Sequence, residues 1–75
     1  MKQPKNIVGP TIRKLRLGQR TPVSQQDLSA RLAAQGIILD QSAIARIEIG
    51  ERGISDIEVL AIAKALRVTV EKIFA

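Results

Sequence analysis

One aromatic side chain, Phe74, and no cysteine are all that a chain of 75 residues has to work with beyond its aliphatics. Chains of this size sit near the lower limit of independent stability, and a disulfide or thiolate metal site is the usual remedy. Neither is open here. The core must therefore be assembled from Ile, Leu, Val and Ala, and it must be a single core, because nothing this short divides into two buried interiors. Hydrophobic residues at 45%, charged residues at 25% and a mean hydropathy of +0.08 describe a folding domain, too apolar for disorder and too often interrupted by charge for a membrane span.

The same inventory argues against enzymology. There is no histidine and no cysteine, so neither an imidazole base nor a thiol nucleophile exists, and seven carboxylates are spread along the chain. The expectation is a non-enzyme with no metal and no cofactor. A secretory leader needs a basic start and then an apolar run. After Lys2 and Lys5 the chain reads Asn6-Ile7-Val8-Gly9-Pro10 and turns basic again, so a cytoplasmic protein is expected.

Twelve Lys and Arg against seven Asp and Glu give a net charge of +5, which suits a polyanionic partner. The distribution is more informative than the total. Lys2, Lys5, Arg13, Lys14, Arg16 and Arg20 all precede the first acid, Asp27, so residues 1–26 carry +6 and the remainder carries −1. Residues 1–7 read as a flexible basic arm and residues 8–75 as the domain.

Apolar residues recur at three-to-four spacing throughout, and no run alternates with period two, so the spacing predicts an all-α fold of five helices. The first opens at Pro10 after Gly9, turns Ile12 and Leu15 inward and stops at Gly18. Ser24 caps a second helix running from Gln25 to Gln35, with Leu28 and Leu32 stacked and Gly36 as its stop. Ile37-Ile38-Leu39 reads as a buried turn. Asp40 caps a third helix from Gln41 to Ile49, with Ile44 and Ile47 inward and Gln41, Ser42, Ala45 and Arg46 forming a small, polar outer face. Ser55 and Glu58 have capping-box spacing and open a fourth helix so apolar that it is expected to be the buried hub. Thr69 caps a last short helix, Val70 to Phe74.

A capped helix, a turn and a second helix with a small polar face form the helix-turn-helix device, in which the second helix enters the major groove of DNA. The chain resembles the Cro and C1-type repressor family, also called Xre-type. The resemblance runs through Ser24-Gln25-Gln26-Asp27-Leu28, then Ser42-Ala43-Ile44-Ala45-Arg46-Ile47-Glu48-Ile49-Gly50-Glu51-Arg52, and then Ile57-Glu58-Val59-Leu60-Ala61-Ile62-Ala63-Lys64-Ala65-Leu66. It covers about residues 8 to 74.

What the resemblance implies is a lambda-repressor-like five-helix bundle acting as a sequence-specific, repressor-like regulator on double-stranded operator DNA. Gln41, Ser42, Ala45 and Arg46 take the positions that reach base edges; Gln25, Arg13 and Arg52 are the expected phosphate contacts, with Gln25 also bracing Gln41. Arg16 and Glu48 are the expected structural ion pair. Val70, Ile73 and Phe74, at three-to-four spacing, are the expected interface of a homodimer that forms chiefly on DNA.

The sequence departs from the family pattern in three places. The stretch from Leu32 to Ile44 is longer than usual, which predicts an extended turn. The connector from Arg16 to Gln25 is also longer, and Ser29 stands where alanine is frequent. A different class of function also fits the residues: an antitoxin-like or adaptor module whose main task is to hold a protein partner. A helical bundle with no ligand leaves the small polar face of the third helix unexplained.

Overall fold

A computed structural model describes residues 3–75, so Met1 and Lys2, the start of the expected arm, lie outside the described residues. Among the described residues are five helices and no strand: α1 Gly9–Leu17, α2 Gln25–Ala33, α3 Gln41–Glu48, α4 Asp56–Leu66 and α5 Val70–Ile73. The all-α, five-helix architecture is the one the apolar spacing predicts.

Four helices begin where a short polar side chain meets an otherwise unpartnered amide of the first turn. Ser24 and Asp27 form a reciprocal capping box at α2, as Ser55 and Glu58 do at α4. Asp40 accepts from the amide of Ala43 at α3, and Thr69 from that of Lys72 at α5. No side chain of its own N-cap residue, Val8, closes α1.

The helix ends differ slightly from the expected ones. The second helix stops at Ala33 rather than Gln35, because Gly36 adopts φ +81° and the amide of Ile37 folds back onto the carbonyl of Leu32 at 3.0 Å. The third and fifth end one residue early, with Ile49 and Phe74 as C-caps, and α1 begins at Gly9 rather than Pro10.

Packing places α2 against α3 and α4, α1 against α3 and α5, and α4 against α5. The shared interior is aliphatic: Ile12, Leu28, Leu32, Ile44, Ile47, Ile62, Leu66 and Ile73 are all fully buried. Two sequence expectations need correction. The fourth helix is not buried all round, since Ile57 and Leu60 are exposed on its outer side. In the turn between α2 and α3, Leu39 is buried and Ile37 half-buried, but Ile38 is 80% exposed; a single irregular segment turns only alternate residues toward the core. The part of the arm nearest the domain is attached to it, with the amide of Lys5 donating to the carbonyl of Gly50 at 2.8 Å.

The extended turn also accounts for Ser29. Its hydroxyl donates to the carbonyl of Leu39 at 2.6 Å, a partner that an alanine there would leave unserved.

Candidate nucleic-acid interface

Helix α3 has two unlike faces. Ala43, Ile44, Ile47 and Glu48 are buried, whereas Gln41, Ser42 and Arg46 are exposed and Ala45 is half-buried. At 3.6 residues per turn these last four fall on one side of the helix. The exposed Ile49, which the sequence reading did not assign, follows them around the same side.

The buried side is anchored by charge as well as by isoleucine. Arg16 on α1 meets Glu48 in a two-pronged ion pair, Nε to Oε2 and Nη2 to Oε1, both at 2.8 Å. The remaining terminal amino group of Arg16 donates to the carbonyl of Val23 at 2.8 Å. Hydrogen bonding to Glu48 raises the Arg16 pKa above its ordinary value, against the opposing effect of burial. Gln25, at the first turn of α2, donates to Glu48 Oε1 at 3.1 Å, and its own carbonyl oxygen lies 3.5 Å from Gln41 Nε2. A continuous polar chain therefore runs from the core to the exposed start of α3. Beside it lies a shallow hollow of about 420 Å³ lined by Arg16, Pro22, Ser24, Gln25 and Gln41 among others.

Arg13 is exposed on α1. Arg52 is half-buried and committed elsewhere: its two terminal amino groups reach the two oxygens of Glu58, each at 3.1 Å, and one also donates to the carbonyl of Gly53. The hydrogen bond to Arg52 is the main reason that the Glu58 carboxyl titrates below the usual carboxylate range, with burial opposing it and the Ser55 backbone assisting. That contribution to stability is present at neutral pH and is lost as the pH falls through the lowered value.

At the other end of the chain, the three residues expected at a dimer interface separate. Ile73 is 0% exposed and belongs to the core, while Phe74 is 54% exposed and Val70 lies at the surface. A helix of one turn has too little length for spacing to say which side faces inward.

Sequence reasoning missed one further residue of this region. Asn6, given to the arm, ties the end of α3 to the start of α1 through its side chain. Its partner in α3 is 41 positions away, so no local pattern marks it.

Among the described residues no group of three or more His, Cys, Asp or Glu is arranged to hold a metal ion, and no helix is long and apolar enough to cross a membrane. No curated protein and no solved structure matches the chain. The helix-turn-helix family profile, by contrast, matches residues 12–73, which takes in all of α2, α3, α4 and α5 and most of α1. With its second helix of the motif anchored from behind and open in front, the chain belongs to the Cro/C1-type, Xre-like helix-turn-helix family of DNA-binding domains.

Proposed function

We propose that the protein is a sequence-specific regulator of transcription that occupies double-stranded operator DNA and acts in a repressor-like way, in the cytoplasm where that DNA lies. The observation that carries this reading is the open face of α3, small and polar, on a helix whose other face is held by Ile44, Ile47 and the Arg16–Glu48 pair. In the major groove Gln41 suits adenine and Arg46 guanine, each in two-pronged contacts; Ser42 serves as an adaptable donor or acceptor, and Ala45 suits a thymine methyl. Gln25 and Arg13 take phosphates. Arg52 does so less strongly, because Glu58 already balances its charge.

Two measurements test the reading. Affinity for duplex DNA should fall with salt at a slope of about −0.9 per phosphate neutralised. Selection from random duplexes should yield a defined site, and Arg46→Ala should flatten the preference at one position of it by about 1–3 kcal/mol. An unchanged base profile would show that Arg46 does not read bases.

The functional unit in this proposal is a homodimer, formed chiefly on DNA, that sets two recognition helices about 34 Å apart. Exposed Val70 on α5 and Phe74 at its C-cap, with Ile57 and Leu60 exposed on the adjoining α4, support it. Phe74→Ser should change the melt of the free protein by no more than about 0.5 kcal/mol, as for other surface substitutions, while abolishing cooperative binding to a duplex with two half-sites. Cooperativity retained in Phe74→Ser would place the interface elsewhere.

A further inference from the structure

We infer that Asn6 is a positioning residue for base readout, the side chain that fixes the C-terminal end of α3 against α1; the inference rests on α3 being the helix that reads DNA. A carboxamide has two N–H donors and an oxygen with two acceptor sites, and Asn6 uses all four. Nδ2 donates to the carbonyls of Ile47 and Arg52 at 2.9 and 2.8 Å, and Oδ1 accepts from the amides of Val8 and Gly9 at 3.0 and 2.7 Å. The Ile47 carbonyl is among the last four of α3, and the Val8 and Gly9 amides open α1, so each comes from a helix end that lacks a full set of partners within its own helix. A single side chain closes both ends where the negative terminus of one helix dipole meets the positive terminus of the other.

The consequence for α3 is geometric. The Arg16–Glu48 pair and the buried Ala43, Ile44 and Ile47 hold the inner face of α3 against the core. At the start of α3 the polar contact from Gln41 to Gln25 is long, at 3.5 Å, and holds only weakly. The Asn6 amide ties the backbone at the C-terminal end of α3 directly to the start of α1, and through Arg52 it also fixes the loop that follows α3. The bond from Lys5 to Gly50 fastens the same segment once more. Both residues precede the part of the chain that matches the family profile, whereas their partners Ile47, Gly50 and Arg52 lie inside it.

No other residue type reproduces this clamp. Aspartate has the same shape but donates nothing, and would face two carbonyl oxygens with a negative charge. Serine can still accept from the amides of Val8 and Gly9 but has a single donor on a side chain too short to bridge to α3.

The test compares the full chain with its Asn6→Ser variant on the preferred duplex, obtained by selection from random duplexes, and on its single-mismatch relatives. Circular dichroism sets a temperature at which both proteins are folded. The preference for the preferred duplex over a mismatched one should fall by about tenfold in the variant, within the range a single mismatch is worth. The salt slope should stay the same, because no charge has changed. If Asn6 were merely structural, the variant would melt earlier and lose affinity for every duplex by one factor; an unchanged ratio of that kind overturns the inference. Asn6→Asp, which can still accept from Val8 and Gly9, replaces the serine variant if the latter does not fold, with the same two outcomes. Wild-type protein that binds no duplex at all would instead remove the DNA reading, and the role in readout with it.

Discussion

Glu48→Ala is expected to cost about 3–5 kcal/mol, because it leaves a buried guanidinium without its counter-ion. A domain of 75 residues has a total stability of about 4–11 kcal/mol by the usual per-residue range, so the variant should be largely unfolded on modest warming. The size of the effect follows from burial: Arg16 is 5% exposed and Glu48 4%, and water cannot replace what either loses. Arg16 cannot escape by giving up its proton, and after the substitution only the Val23 carbonyl would still accept from it. Gln25 would lose its acceptor in the same step. Glu48→Gln, which keeps the shape and one acceptor, should fall between wild type and alanine. The decisive measurement is a denaturation cycle of Arg16→Ala, Glu48→Ala and the double variant. Coupling predicts that the double variant costs less than the two single costs together, by about 0.5–3 kcal/mol; simple additivity would show that the pair contributes nothing as a pair.

That pair was legible in the sequence only through the family resemblance. Arg16 and Glu48 are 32 positions apart, and periodicity alone says no more than that each lies on a helix. Local signals did better. Ser24, Asp40, Ser55 and Thr69 act as caps because a cap is a contact across three residues, within reach of a short pattern. The inward isoleucines and leucines of α2 and α3 likewise follow from turns of helix long enough for spacing to repeat. Where an element is one turn long or irregular, the pattern has nothing to repeat over. Ile73, expected at the surface beside Phe74, then lies in the core, and Ile38 proves exposed between two inward neighbours. The side chains of the proposed DNA face were legible as a face, since Gln41, Ser42, Ala45 and Arg46 share one side of a helix. What holds that face in place was less so. Arg52 is taken up by Glu58, and the Asn6 clamp joins residues too distant for any local rule.

Gly9→Ala should destabilise the protein by about 3 kcal/mol or more, which is the reverse of what the same change does in an ordinary helix. Exchanging glycine for alanine within a helix usually gains about 0.5–1 kcal/mol, through the lower entropy of the unfolded chain. At Gly9 that gain is overwhelmed by a collision. A Cβ on this residue would overlap the carbonyl oxygen of Ile47 and stand 2.9 Å from that of Glu48. Both are backbone atoms at the end of α3, so no side chain can swing aside, and relief requires α1 and α3 to move apart. That movement would also lengthen the Asn6 bonds to Ile47 and pull on Arg16 and Glu48, which join the same two helices. Gly36→Ala is the matched comparison: there φ is +81° but nothing lies within 4 Å of the added carbon, so only the left-handed backbone is penalised, by about 1–2 kcal/mol. Thermal melts of the two variants should therefore rank Gly9→Ala well below Gly36→Ala, with a drop of about 12 °C or more for the former at roughly 4–8 °C per kcal/mol in a domain of this size. A melting temperature for Gly9→Ala at or above that of the wild type would mean that α1 and α3 do not meet as closely as described, and the Asn6 clamp, which depends on that approach, would fall with it.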